Sequence, residues 1–375
     1  METVMLVGAS VRAAAFSALR AGLRPWAIDL FADRDLAAAC PVRRIPARRY
    51  PAGIAEMIRQ APPGPWLYTG ALENRPELIE EIARERPLWG NDAACLRRVR
   101  DPFALAAALG AAGIPCPAVR PAGERPAGAW LSKPRAGGGG AGIRFATGRL
   151  RDHARRTYLQ EFVEGESRSG VFVADVSGCR LLGVTRQLIG IDWLHAGAFR
   201  YAGSIGPLPI AESERSAWRR LGSAVASFAD LRGIFGVDAV IRDGVPWPVE
   251  VNPRYTASVE VIEYGSGVRA MQAHRRALGR DVPSEGGPGL GTIIGKAIWY
   301  APRPIVFAAE GPWDAVLQGP IELNRPPAFA DIPAAGEQIA AGRPVLTFFA
   351  TAATTEDCVR RLRATADELD RLLPR

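Results

Sequence analysis

The stretch GIFGVDAVIRDGVPWPVEVNPRYTASVE, residues 233–260, decides how the rest of the chain is read. Two apolar runs, Phe235–Ile241 and Pro246–Val251, flank Asp243-Gly244, a dipeptide suited to a tight hairpin turn. Side chains alternate faces along a strand, so Glu250 and Asn252 share one face, and hairpin pairing can bring Asp238 to it. Val237, Val240, Val249 and Val251 surround these groups. Acids facing such a core without a counter-charge would be costly. Asp238, Glu250 and Asn252 offer the hard oxygen donors that suit Mg²⁺ when phosphates supply its other ligands. Arg254 adds a planar fork for a phosphoryl group or a carboxylate.

Upstream, WLSKPRAGGGGAGIRF (130–145) runs from a strand through Lys133 into a loop with Gly137, Gly138, Gly139, Gly140 and Gly142. Glycines let backbone N–H groups converge on phosphate oxygens. A plain flexible hairpin tip is the alternative. Composition favours the first: of 47 lysines and arginines, only Lys133 and Lys296 are lysines. A chain that writes arginine almost everywhere keeps lysine where a compact ammonium is needed. Lys296, in the tail, is expected to tolerate arginine. The next segment, YLQEFVEGES (158–167), is extended and could read an adenine edge, with a carboxylate beyond it for ribose hydroxyls. It also reads as an edge strand with a polar tip.

The chain opens with a strand over residues 4–8, a helix closed at Gly22 and a second strand near Pro25–Leu30, a βαβ start. The turn between them lacks the G-x-G-x-x-G spacing, which disfavours a nicotinamide dehydrogenase. WLYTGALEN (66–74) reads as a strand carrying Glu73 at its carboxyl end, where α/β sheets place ligand-facing groups. Helices are expected over Leu96–Leu109, Ser213–Leu231 and Val268–Leu278, a hairpin through Ser177-Gly178, and a linker over residues 284–291. The tail adds strands near Ile293–Trp299 and Pro344–Phe349 and a helix over Thr355–Leu373. These elements predict an α/β (α+β) protein in three regions: 1–95, 96–285 and 286–375.

At 375 residues the chain can bury a large core unaided. Five scattered cysteines without a C-x-x-C pair exclude a zinc ribbon and fit a reducing cytoplasm. The start METVMLVGAS has no basic lead, so no signal peptide is expected. The longest uncharged apolar run, 102–119, is broken by Pro102, Pro115 and Pro117, so no membrane span is expected. The net charge is +8, yet no basic run exceeds three residues, which argues against a nucleic-acid partner and suits a phosphorylated small molecule.

These motifs, in this order, resemble the ATP-grasp superfamily of carboxylate–amine ligases, most closely a carboligase-like group related to biotin carboxylase. The likeness is strongest over residues 98–262, and ADIPAAGEQIAAGRPVLTFFATAATTEDC (330–358) is similar to the closing region of biotin carboxylase and its purine-pathway relatives. The resemblance implies a Rossmann-like first domain, a two-lobed nucleotide-binding domain and a small β-rich closing region. It implies ATP and Mg²⁺ (or Mn²⁺), with Lys133 and Gly137, Gly138, Gly139 and Gly140 on phosphates, and Gln160, Glu161, Phe162 and Val163 as the adenine hinge. Glu166 or Ser167 falls near the ribose, and Asp238, Glu250 and Asn252 on the metal. The family's second lysine is missing from RRVRDPF (97–103), where Arg98 or Arg100 could replace it.

The chemistry implied is phosphorylation of a substrate carboxylate followed by attack of an amine. Arg254 would steady the transferring group, and Glu260 is a candidate base, two residues beyond the spacing seen in biotin carboxylase. GVTRQ (183–187) and FRYAGSIGP (199–207) are rich in groups for an acyl substrate. Arg186 and Arg200 are candidate carboxylate clamps, with Tyr201 and Ser204 beside them. A mobile solvated loop is the alternative. Ser10, Arg12 and Glu73 would close the site from the first domain. The resemblance extends to members that occur with one-carbon pterin and furan cofactor genes. Small-molecule carboxylate and amine partners are expected, and a homodimer. A carboxylase forming carboxyphosphate and a nucleotide-binding regulator without turnover are the rival readings.

Overall fold

The computed structural model describes residues 1–375 except 124–126, 147–155, 283–285, 288, 374 and 375. Most of the expected 284–291 linker therefore lies among or beside residues outside the description.

Parallel strands Arg24–Asp29, Val42–Arg44 and Trp66–Tyr68 assemble around Thr3–Gly8, in the order third, second, first, fourth along the chain. Helix Arg12–Arg20 lies behind them, and its alanines Ala14, Ala15 and Ala18 are buried. Asp29, at the carboxyl end of the second strand, accepts the Val11 N–H at 2.7 Å and so pins the start of that helix. The strand expected over 66–74 is shorter: after Tyr68 the chain turns at Ala71 (φ 79°) into a 3₁₀ turn over Leu72–Asn74.

The helix expected over Leu96–Leu109 is two helices, Ala93–Val99 and Pro102–Ala111. Asp101 separates them, its carboxylate accepting from the N–H groups of Phe103 and Ala104, while Pro102 takes the first helical position. The chain then forms a small antiparallel sheet from Val119–Pro121, Thr157–Glu161, Trp130–Pro134 and Arg144–Phe145, in that spatial order.

The large sheet has eight antiparallel strands, ordered Val245–Asn252, Gly233–Arg242, Glu166–Asp175, Gly178–Ile189, Tyr201–Gly206, Ile293–Tyr300, Pro344–Ala352 and Phe329–Ala330. The tail strands thus hydrogen-bond directly into the sheet that carries the Asp238 hairpin. Helix Glu212–Ala229 covers one face, packing Trp218, Leu221 and Val225 on Phe172, Phe235, Val237 and Val251. On the other face, Val259 and Ile262 of helix Ala257–Ser266 meet Val171 and Ile234.

Sequence reading placed no helix over 257–266. It begins after the extended Thr256 and ends at Gly267, whose φ of 77° is the left-handed conformation that glycine adopts freely. The following helix spans Ala270–Ala277, and the last helix Thr355–Leu372 buries Cys358, Leu362, Ala366 and Leu369. No helix among the described residues is long and apolar enough to cross a membrane.

His274 is fully committed to this core. Its Nδ1 accepts the Ile234 N–H at 2.9 Å and its Nε2 faces the Trp89 carbonyl at 3.2 Å. Burial pushes the imidazole down from 6.5 to about 4, so the folded chain keeps it neutral where an unfolded chain would bind a proton. Stability should therefore fall as pH drops from about 6.5 towards about 4, by roughly 3 kcal/mol from this residue alone. Urea melts of His274→Gln against the parent should show a shallower acid slope in the variant; identical slopes would remove His274 from the account.

Candidate active site

The hairpin register places Asp238 directly opposite Glu250, so the two carboxylates share a sheet face, and the Asn252 amide donates to Asp238 Oδ2 at 3.1 Å. That face is polar across six strands. Asp238 pairs with Ser169, Ser169 with Thr185, Gln187 with Ser204, and Ser204 with Lys296. Alternation explains why the intervening Val237 and Val251 sit under the opposite helix, in the core. Burial first, and then Glu250, pushes the Asp238 carboxyl up to about 6. Lys133, Arg100 and Arg254 surround the two facing acids, whose oxygens are of the kind a divalent cation takes. The donor set therefore fits Mg²⁺ with phosphate ligands.

Lys133 stands over this hairpin. Its Nζ donates to Gln160 Oε1 at 3.0 Å and to the Val249 carbonyl at 2.9 Å. An ammonium carries three N–H groups, so one is left for a ligand. Burial lowers its pKa, and Glu250 and Asp238 work to keep it charged. A cleft of about 740 Å³, counted to its open mouth, is lined by Lys133, Gly137, Gly138, Gly140, Gln160, Glu250 and Arg100.

The glycine loop is drawn down onto this cleft. Asn74 Nδ2 and Arg100 Nη2 both donate to the Gly137 carbonyl at 3.1 Å, and the Tyr201 N–H donates to the Gly139 carbonyl at 3.3 Å. Gly140 has φ 76°, and a Cβ there would lie 1.7 Å from the Phe199 carbonyl oxygen. Only glycine allows that approach. Arg100 also donates to Glu250 Oε1 at 2.9 Å and to Asn74 Oδ1 at 2.8 Å, with its Nε buried and unpartnered. Of the two arginines offered for the missing lysine, Arg100 enters the cleft, while Arg98 donates to the Ala229 carbonyl.

Arg254 and Glu73 join the first sheet to the hairpin. Arg254 Nη2 donates to Glu73 Oε1 at 2.6 Å and to Asn252 Oδ1 at 3.1 Å. Burial works against the Glu73 charge, but Arg254 and then Arg100 outweigh it and hold the carboxyl below its ordinary range. Arg254 Nε and Glu73 Oε2 are buried without partners among the described residues. Such atoms are costly unless a ligand completes them.

Several candidates lie elsewhere. Glu260 and Arg12 are both fully buried and bonded to each other by two contacts of 2.6 and 2.7 Å. Lys296 adds a third at 2.8 Å. Burial opposes the Glu260 charge, yet Arg12 and Lys296 drive its pKa well below the carboxylate range. A carboxylate whose two oxygens are saturated in this way is not free to take a proton, and Arg12 is not free to clamp substrate. Lys296 is 4% exposed and belongs to this cluster, so the expected tolerance of arginine gives way to a packed site.

Glu166 is held by Arg168 at 2.6 Å and stands 3.5 Å from Arg186, so ribose candidate and acyl clamp are turned to one another. The Glu161 and Phe162 N–H groups already donate to the Ala118 and Ala129 carbonyls, and Glu161 Oε2 accepts the Ala118 N–H. Phe162 packs on Phe145 and Val163 is buried. Arg200 lies over the Tyr300 ring. Ser10 is exposed, and only its carbonyl is engaged, by Thr69.

Sequence reading missed a run of hydroxyls beside the site. Tyr201 OH meets Ser204 Oγ at 2.8 Å, Ser204 meets Ser258 Oγ at 3.1 Å, and Thr185 donates to Ser258 at 3.1 Å. Ser204 and Tyr201 were candidates; Thr185 and Ser258 were not. Their signal was polar residues at strand and helix positions otherwise apolar, which becomes legible only once the register is known. Asn74 was missed in the same way, one residue beyond Glu73.

Residues 99–258 match the family model of the ATP-grasp domain. No curated protein matches in sequence. Among solved structures, the L-amino acid ligase of Bacillus licheniformis superposes with a TM-score of 0.72 at 16% identity, covering 98% of this chain and 97% of that one. The N5-carboxyaminoimidazole ribonucleotide synthetase of Thermotoga maritima gives 0.66 at 16%, covering 97% and 98%. The biotin carboxylase domain of the Hydrogenobacter thermophilus 2-oxoglutarate carboxylase, a complex with MgADP, ADP and bicarbonate, gives 0.71 at 14%, covering 96% and 88%. These likenesses show that the chain has the ATP-grasp fold.

The two lysines should separate cleanly. Lys133→Arg should weaken MgADP binding by about tenfold or more in calorimetric titration, because a fork cannot replace a point charge held by two acceptors. Lys296→Arg should leave that affinity alone and lower the melting temperature. Equal losses of affinity would contradict both assignments.

Proposed function

We propose, for a chain that carries an ATP-grasp domain, that it is an ATP- and Mg²⁺-dependent ligase joining a small carboxylate to an amine through an acyl phosphate. One observation carries this reading: Asp238 and Glu250 face each other on the polar sheet face, with Lys133 and the drawn-down glycine loop above them.

Within this reading Asp238, Glu250 and Asn252 hold the metal, which when bound offsets charge on the nucleotide phosphates. Lys133 offers its remaining N–H to a phosphate oxygen. The loop at Gly137, Gly138, Gly139 and Gly140 keeps water from the acyl phosphate, which hydrolyses if exposed. The γ-phosphoryl group passes from ATP to a carboxylate oxygen, releasing ADP. The amine nitrogen then bonds to the acyl carbon as phosphate leaves. The protein's share is mainly positioning and charge stabilisation. Arg254, steered by Glu73, would meet the acyl phosphate with its unused Nε. Arg100 takes the place of a second lysine at the nucleotide. Tyr201, which burial keeps a neutral phenol, stands at the end of the hydroxyl run and would donate to the acyl group.

Two expectations drop out of this account. Glu260 and Arg12 serve the core, so no general base is assigned, and Glu166 is taken by Arg168 with Arg186 beside it. The amine needs none if it arrives neutral at the acyl carbon. A carboxylase forming carboxyphosphate would use the same nucleotide half, and bicarbonate-stimulated ADP release would select it. A role in one-carbon pterin or furan cofactor assembly rests on the sequence resemblance alone.

Glu250→Gln should abolish ADP release in a screen of acids with amines, by about a hundredfold or more, because it deletes ligand charge at constant volume. Its melting curve should stay within a few degrees of the parent. Full turnover in that variant would remove Glu250 from the metal set.

A further inference from the structure

Asn74 is a polar residue that the ligase reading leaves without a task. It closes the 3₁₀ turn Leu72–Asn74 behind the last strand of the first sheet, directly after Glu73. Among the described residues its carboxamide makes no hydrogen bond within that turn. Both ends are spent across the cleft instead: Oδ1 accepts from Arg100 Nη2 at 2.8 Å, and Nδ2 donates to the Gly137 carbonyl at 3.1 Å. Arginine has only donors, so the amide can be turned only one way, and its N–H side must face the glycine loop.

The loop needs such support. It carries five glycines, at 137–140 and 142, and glycine loses the most freedom on being ordered. Its internal bonds, from the Ala141 N–H to the Gly138 carbonyl and from the Ile143 N–H to the Gly140 carbonyl, are long at 3.2 and 3.4 Å. On the side away from Asn74, the Tyr201 N–H donates to the Gly139 carbonyl at 3.3 Å, and Gly140 lies against the Phe199 carbonyl.

Both supports carry backbone that residues with side chains seldom adopt. Ala71, which leads into the Asn74 turn, has φ 79°, and Phe199, under Gly140, has φ 63°. Such conformations persist where the surroundings over-determine them, and they cluster at ligand clamps. The neighbouring Glu73 holds Arg254 at 2.6 Å, so one short turn reaches both the loop over the cleft and the arginine beside the hairpin.

We propose that Asn74 is a positioning residue of the nucleotide site, which seats the glycine loop through the Gly137 carbonyl. This rests on the ligase reading above for what the seated loop covers. It adds that the seat is set by a residue outside 99–258, the stretch that matches the ATP-grasp domain. Asn74 acts through the loop and touches neither nucleotide nor metal. Aspartate would keep the acceptor for Arg100, but it has no N–H for Gly137 and would set a carboxylate against that carbonyl.

The Tyr201 amide reports the seat, since its N–H is bonded to the loop. Its hydrogen exchange is read in the parent, Asn74→Asp and Asn74→Ala, alongside melting temperature and calorimetric MgADP affinity. Both variants should exchange the Tyr201 amide about fivefold faster or more without nucleotide, and bind MgADP about fivefold more weakly. They should melt within a few degrees of the parent, with amides elsewhere in the eight-stranded sheet unchanged. Asn74→Asp that matches the parent at Tyr201 overturns the proposal, because the Arg100 contact alone would then suffice. Faster exchange across the whole sheet, or failure of both variants to fold, overturns it too, because Asn74 would then be structural. MgADP titration of the parent separates the two levels. No binding sinks the ligase reading and this proposal with it; binding, with Tyr201 exchange unmoved by either variant, sinks this proposal alone.

Discussion

The bidentate pair between Arg12 and Glu260, both fully buried, is the contact on which the arrangement of the molecule depends. Arg12 leads the first helix, Glu260 lies on the helix after the metal-type hairpin, and Lys296 and Asp331 arrive from the tail. Three stretches far apart in sequence thus meet in one charge cluster. Such a pair adds little net stability over an apolar filling, but removing one partner costs about 3–5 kcal/mol, since the other stays buried and charged. Its effect is positional. With Arg12 fixed, the first helix and the sheet ends are held against the face that carries Asp238, and Arg254 can reach Glu73.

That face shows how a sheet can carry chemistry without exposing a core. Every polar group on it, from Glu250 through Asp238, Ser169, Thr185 and Ser204 to Lys296, comes from strand alternation in a continuous register. The opposite face is apolar and sealed by Trp218 and its helix. A one-residue slip would put Val237 and Val251 in the site and the two acids under Trp218, so the core enforces the geometry of the site.

Much of this was legible in the sequence because it rests on local rules. The hairpin at Asp243-Gly244, the glycine loop and the first βαβ unit follow from turn chemistry and period. The lysine count also pointed at Lys133, which is buried in the cleft. Lys296 was misjudged from its place in the tail, since the count marks it as a needed lysine without saying whether catalysis or packing creates the need. Arg12 and Glu260 looked like site residues for a similar reason: their charge and place near the motifs were visible, their partner was not. Long-range pairing, 248 residues apart in this case, has no periodic signature. The helix break at Asp101 was missed although its capping residue and proline were both present, because the apolar run continued through it.

The acids of the first sheet complete the same logic. Arg12 also carries the acids at the end of the first sheet: Asp35 and Asp331 stand beside its Nε, and it opposes the upward push on the Asp33 carboxyl. Between the first sheet and the hairpin, the Nε of Arg254 and the second oxygen of Glu73 are buried without a hydrogen bond among the described residues. Buried polar atoms left in this state cost stability, and the fold carries that cost both here and at structural contacts such as Arg20 Nε and Trp313 Nε1.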